Sequence, residues 1–299
     1  GEYVTAGGKI NGLQIQSETT IPLDANFNDP DLVMLEGFSV AGGYIIDSSD
    51  YVFDINAEGD QAAGSISIGA VTITGEFNEE TVGYESQTAG ISANIQTSDF
   101  PLPIEVSVGE YGLGFRMPIG QTEEPADYGM KLNIIDLEIS DMLWNLFDGG
   151  NVLPRDPATF QFAIAGKAKA LIDIFDPAQQ ETLMGNDVPF ELGTMSLDTL
   201  RIAAAGALVT GAGSFVFDNT DMQSFAPMPR PEGEAAIEIT GLNGLLDNLV
   251  AMGLVPAEDV MGPRMMMGMF ARSTGDDQME ISVEVNGAGE VLVNGNRVR

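Results

Sequence analysis

Carboxylates are the one reactive side-chain class this chain holds in quantity: 45 Asp and Glu against 12 Lys and Arg, with no histidine and no cysteine. Without an imidazole, a Ser-His-Asp triad has no base and a histidine-held metal has no ligand. Without a thiol there is no cysteine nucleophile, no sulfur-ligated metal and no disulfide framework. The sequence also lacks a Gly-x-Ser-x-Gly elbow, a Walker loop and a Gly-x-Gly-x-x-Gly entry to a helix. A glycoside-hydrolase type of reaction needs only two acids flanking a bond, and a chain this acidic offers such pairs everywhere, so their presence points to no reaction. The chain therefore reads as non-enzymatic, with a carboxylate-pair hydrolase as the remaining catalytic alternative.

The same acids could hold cations. Asp54-Ile55-Asn56-Ala57-Glu58-Gly59-Asp60 imitates the opening of a calcium loop, but Ser65 stands where the bidentate glutamate belongs and strand patterns flank it, so a plain turn is the better reading. Asp218 and Asp221, in Asp218-Asn219-Thr220-Asp221, and Asp276 and Asp277, after Gly275, are further weak metal candidates in segments that also read as turns. No cofactor is expected, and calcium, held weakly, is the candidate ion. Apolar ligand chemistry has other candidates: Met265, Met266, Met267, Met269 and Phe270, because methionine surfaces adapt to apolar partners, and Trp144, which could stack on a ligand. The plainer role for the methionines is to plug a gap between helix and sheet, and for Trp144 to anchor the core.

Positioning these residues falls mainly to strands. Apolar and polar residues alternate in short runs over residues 9–17, 32–40, 44–55, 64–77, 80–84, 90–97 and 104–108, separated by Gly, Asn, Asp or Pro. That is the pattern of a neighbour-to-neighbour antiparallel meander with one wet face. Ser140-Asp141 caps a short helix carrying Trp144, and a second is expected near 168–175. Between them Leu153-Pro154-Arg155-Asp156-Pro157 forms a rigid connector. Residues 197–209 and 214–218 read as a hairpin turning at Gly211-Ala212-Gly213. Leu242, Leu245, Leu246, Leu249 and Val250 make one apolar helical stripe. A second helix over 256–272 should be kinked by Pro263, and Asn286-Gly287 and Asn294-Gly295 mark hairpins.

The formal charge of −33, with Lys9 the only base before Arg116, disfavours nucleic acid and anionic membranes, both of which are bound through clustered bases. The longest uncharged stretch, residues 202–217, is too short for a spanning helix and is interrupted by glycines, so no transmembrane helix is expected.

The carboxy-terminal third carries a resemblance. Gly253-Leu254-Val255, the run from Met261-Gly262-Pro263-Arg264 to Met269-Phe270, Gly275-Asp276-Asp277 and Val293-Asn294-Gly295-Asn296-Arg297 resemble the DUF2125 family of exported alphaproteobacterial proteins. The connector at 153–157 and Phe217-Asp218-Asn219-Thr220-Asp221 are similar to it too. More distantly, the architecture is similar to DUF945 and AsmA-like envelope proteins, which are thought to act on lipid. The resemblance implies export to the periplasm or beyond, a chain that is the carboxy-terminal part of a longer precursor, and no catalytic residues.

Together these readings give a β-rich α+β fold: one elongated domain over residues 1–299, with a strand meander over 1–135 and a sheet with helical cover over 136–299. The expected function is a periplasmic envelope protein binding an apolar ligand such as lipid, or a protein partner, in a sheet-helix cleft. The rival is a structural or assembly subunit joined through strand edges.

Overall fold

A computed structural model describes residues 2–299 apart from 24–36, 58–59, 101, 175, 177–178 and 180–188. The expected strand at 32–40 and the imitation calcium loop therefore lie partly outside the described residues. Within them, the chain forms one large open antiparallel sheet with three helices.

The first half contributes β1 (Tyr3–Asn11), β2 (Gln14–Thr20), β3 (Ser39–Ile46), β4 (Ser48–Ala57), β5 (Asp60–Ile68), β6 (Val71–Phe77), β7 (Thr81–Thr97), β8 (Ile104–Pro118) and β9 (Ala126–Ile139). Helix α1 (Asp141–Phe147) follows, then β10 (Ala158–Ala170), β11 (Phe190–Ala204), β12 (Ala207–Asp218) and β13 (Arg230–Thr240). Helices α2 (Leu242–Ala251) and α3 (Met261–Phe270) precede β14 (Arg272–Gly275), β15 (Gln278–Val285), β16 (Val291–Val293) and β17 (Asn296–Arg297). β1 with β2, β3 with β4, and β5 with β6 each act as one long strand interrupted at Gly12, Asp47 and Gly69, because β1 pairs β4, β2 pairs β3, and β5 and β6 both lie along β7. So joined, the strands form the expected meander; α1 is inserted between β9 and β10, and between β13 and β15 the chain detours through α2, α3 and β14.

Those interruptions lie on one line crossing the sheet, which continues through Gly90 of β7 and Asp136 of β9. Gly12, Gly90 and Asp136 take the left-handed conformation, with φ of 68°, 74° and 54°. Glycine does so freely and aspartate tolerates it. Such a residue resets the in-and-out alternation. In β7 the less exposed positions are even-numbered from Tyr84 to Thr88 and odd-numbered from Ile91, with Ala89 and Gly90 both exposed. The ladder survives the reset, since Gly69 donates to the Gly90 carbonyl at 2.7 Å and Ala89 to that of Ala70 at 2.8 Å.

Directly opposed residues of an antiparallel pair project from the same face. One row of opposed residues crosses eleven strands: Ile15, Tyr44, Ile73, Ser86, Leu113, Leu132, Phe162, Leu200, Gly211, Ile237 and Ile281. The adjacent row, on the other face, reads Gln16, Gly43, Thr74, Glu85, Gly114, Lys131 and Ala163. One face is therefore apolar across nearly the whole sheet and the other polar. Gly211 fits the apolar row because a Cβ there would meet Leu200 at 3.2 Å and Ile237 at 3.4 Å.

Little covers that apolar face among the described residues. Buried apolar side chains are confined to a few positions such as Ile119, Leu153, Ile239, Val260 and Val285, where loops, helix ends and strand ends meet. The accessible surface is 17636 Å², close to half as much again as the roughly 12,000 Å² of a compact monomer of this mass.

The helices sit at the margins. Leu242, Leu245, Leu246, Leu249 and Val250 are only half-buried, and α2 meets β12. The expected gap-filling by methionine does not occur, for Met265, Met266 and Met269 are 67%, 61% and 69% exposed. Pro263 falls in the first turn of α3, where no intrahelical N–H partner is lost, so no kink is required. The expected helix near 168–175 is absent: β10 runs on to Ala170, and its Ala168 and Ala170 are buried. The hairpin at 197–218 turns instead at Ala205-Gly206, with φ of 50° and 87°, the pair of left-handed residues that a two-residue turn requires. Gly211 and Gly213 lie inside β12, the latter so close to its neighbour that a Cβ would stand 2.5 Å from that of Ala235.

Candidate apolar groove

An open groove of about 1050 Å³ runs across β2, β3 and β6–β11. Of its large apolar lining residues, Ile15, Tyr44, Ile73, Tyr84, Phe115, Met130 and Ile164 share the apolar face, while Ile45 projects from the other. Tyr84 and Phe115, opposed on β7 and β8, stack with ring centroids 5.9 Å apart. Small residues at Gly42 and Gly75 open the floor beside them. Exposure of Phe115 at 40% and Met130 at 45% leaves their apolar surface free to meet a ligand. Glu76, Glu85, Arg116 and Lys131 also line the groove. By register their side chains project from the opposite, polar face, where Arg116 pairs with Glu76 and Lys131 with Glu85. Two carboxylates each engaged by its own base do not form an acid pair across a bond.

The residues singled out from sequence lie elsewhere. Trp144, half-buried on α1, packs against Phe147 at 4.9 Å between centroids, and the Arg155 guanidinium stands 5.9 Å over its ring. Arg155 donates to Asp141 at 2.6 Å, to Asn145 at 2.7 Å and to the Asp148 carbonyl at 3.1 Å. Asp148 is buried and accepts the N–H groups of Val152 and Leu153 at 2.8 and 2.9 Å. The first of these, working against burial, holds its carboxyl below the ordinary range, helped by Leu153 and Arg155. The 153–157 connector is therefore pinned from within, and Trp144 belongs to that clamp.

Asp218 accepts the Thr220 hydroxyl at 2.6 Å and Arg230 at 2.8 Å, which with the Thr220 N–H bring its pKa down to about 2. Asp221, 3.6 Å from the same guanidinium, caps Ser224 and Gln223 and is also lowered, chiefly by Ser224. Asp277 closes the start of α2 from 34 positions away: it accepts the Asn243 and Gly244 N–H groups at 3.1 and 2.9 Å and the Asn243 amide at 3.0 Å. Burial raises its pKa, and these bonds with the charge of Arg264 outweigh burial and leave it lowered. Gly241, at the cap position, has no side chain to do this, so a residue of the β14–β15 turn supplies the cap. Among the described residues no group of three or more acids is gathered to hold a metal ion. Met265, Met266 and Met269 are exposed on α3, Met267 is half-buried there, and Phe270 is 38% exposed. The groove residues were not singled out from sequence; strand-by-strand alternation announced a face, and only the register shows which residues stand together on it.

Residues 39–294, from β3 to the turn after β16, match the DUF2125 model, described as an uncharacterized protein conserved in bacteria. The chain belongs to the DUF2125 family. No curated protein and no solved structure matches it. The matched span contains every groove strand except β2, together with all three helices, so groove and helices are features of a DUF2125 region. Among its described residues no helix is long and apolar enough to cross a membrane.

Proposed function

We propose that this DUF2125 protein is an exported, non-enzymatic binder of an apolar ligand, the acyl part of a lipid, laid along the uncovered apolar face of its sheet. The observation that carries this reading is the row across eleven strands, apolar at every position but Ser86 and Gly211, with a groove of about 1050 Å³ on its first eight. Sites for drug-sized ligands occupy roughly 300–1,000 Å³ and are lined mainly by apolar and aromatic groups. An apolar face left in water is costly, and a bound alkyl chain would remove it from water at about 0.8 kcal/mol per buried methylene. The groove is formed by strands rather than between sheet and helices, which moves the site from the expected cleft to β6–β10. The test is uptake of a fluorescent fatty acid by the parent and by Phe115→Glu, which places a charge beside Tyr84 and Met130. Saturable uptake by the parent and its loss in the variant support the reading; equal uptake by both sinks it. Fractionation of the native cell tests export, and protein confined to the cytoplasm would oppose it.

A second reading rests on β1 and β2, which are exposed along nearly their whole length and, among the described residues, present an edge with no further strand paired to it, suited to strand addition. It makes the protein an assembly subunit. Concentration-dependent association abolished by Lys9→Pro, with no fatty acid uptake, would favour it over lipid binding.

A further inference from the structure

We propose that α3 is a membrane-docking helix that seats its methionine face at the headgroup-acyl boundary of a bilayer. Surface helices normally turn their apolar stripe to the core and their charges to water. α3 does the reverse. At about 100° per residue, Met261, Met265, Met269, Gly262, Met266 and Phe270 occupy one half of its circumference. The four methionines are 61–69% exposed. The opposite side holds Arg264, the helix's one charged residue, turned toward α2, where it donates to Asp247 at 2.6 Å and to the Asn243 carbonyl at 3.4 Å. The outward arc thus consists of uncharged, flexible, apolar side chains.

The helix is also held to present that arc. Asp277 caps α2, Arg264 ties α3 to α2, and Asn294 donates to the Phe270 carbonyl at 2.7 Å. Two features favour a bilayer over a protein partner. The arc offers no side-chain hydrogen-bonding group to fix a protein partner's orientation, whereas insertion at an interface needs only apolar area. In addition, no acid occurs from residue 260 to 275 in a chain of net charge −33, while Arg264 and Arg272 lie within that stretch. Arg264 is paired with Asp247 and Arg272 with Glu280 at 2.7 Å; the stretch itself carries no free acid, and a membrane meets little repulsion from it. The expected membrane is zwitterionic, because the rest of the molecule opposes an anionic one.

The proposal stands apart from the groove, which α3 does not line. The experiment is flotation of the full chain with phosphatidylcholine vesicles, comparing the parent with Met265→Asp/Met269→Asp and with Met228→Asp, a control at a 52% exposed methionine elsewhere. The parent and the control should float, and the double variant should partition about tenfold less or weaker, as expected for charge at an interface. Its vesicle-free fatty acid uptake should be unchanged, which separates this test from that of the groove. Phosphatidylglycerol vesicles should bind less at low salt and recover as salt is raised. If the double variant fails to fold, the emission of Met266→Trp less that of the parent serves instead, with a blue shift on adding vesicles expected. Flotation undiminished in the double variant, no flotation of the parent, an unshifted tryptophan, or a parent dimer that the substitutions dissociate without vesicles would each overturn the proposal.

Discussion

Removing the Asp277 carboxylate should unfasten the start of α2, and the structure indicates by how much. Its two oxygens accept two backbone N–H groups of the first turn and one side-chain amide, at 2.9–3.1 Å. Loss of a helix cap ordinarily costs about 0.5–2 kcal/mol. The backbone adds a second contribution, since Asp277 sits at φ 46° and alanine there bears about 1–2 kcal/mol of left-handed strain. Asp277→Ala should thus cost roughly 2–3 kcal/mol, or a melting temperature lower by about 4–6 °C for a chain this long. Asp277→Gly relieves the strain while losing the cap, and should fall by only about half as much. Asp276→Ala, next door but without these bonds, should melt like the parent. Calorimetry of the four proteins with and without calcium and chelator decides the matter. Equal losses at Asp276 and Asp277, or a chelator shift that disappears in both variants, would show that the turn holds an ion and that the capping argument is wrong.

Leu246→Ala and Leu249→Ala should each cost about 1–2 kcal/mol by denaturant titration, less than the 2–5 kcal/mol of a fully buried leucine, because α2 is half-buried; losses above about 3 kcal/mol would mean the helix is covered. The Asp218–Arg230 contact should stabilise the fold fully above the ordinary aspartate pKa near 4 and lose its contribution as pH falls toward about 2. Melting followed from pH 5 to 2 should therefore converge for the parent and Asp218→Asn at the acid end, and a gap that widened on acidification would refute the sign. Gly213→Val should destabilise strongly, since a Cβ would stand 2.5 Å from that of Ala235; an unchanged melting curve would show that β12 and β13 are not packed in this register.

Much of the sheet was legible because period-two alternation survives in single strands such as Val71-Thr72-Ile73-Thr74, and the meander followed from short turns. The Asn294-Gly295 turn, with φ of 50° and 76°, behaves as its residue types announce. The Ala205-Gly206 turn does not, because alanine seldom adopts that conformation and Gly211 and Gly213 offered a more conventional place to reverse. Long strands such as β8 and β9 were under-read, since their alternation shifts phase at Gly109 and Asp136 and broke the pattern into pieces. The acidic turns looked like ion sites because ligating and capping aspartates share one composition; what distinguishes them is a distant partner, Arg230 for Asp218 and α2 for Asp277. The methionine run was visible as a patch, but its direction depends on where Arg264 turns, which is decided by Asp247 on another helix. The groove is the least legible feature, for Ile15, Tyr84 and Ile164 come together only through successive registers.

The central claim is that an acyl chain lies on the apolar face over β6–β10, and photocrosslinking reads its position directly. A fatty acid carrying a diazirine, bound in the absence of vesicles and activated by light, should leave its adducts on peptides containing Ile73, Tyr84, Phe115, Met130 and Ile164, and unlabelled fatty acid should compete them away. Adducts confined to α3, or scattered without competition, would contradict it.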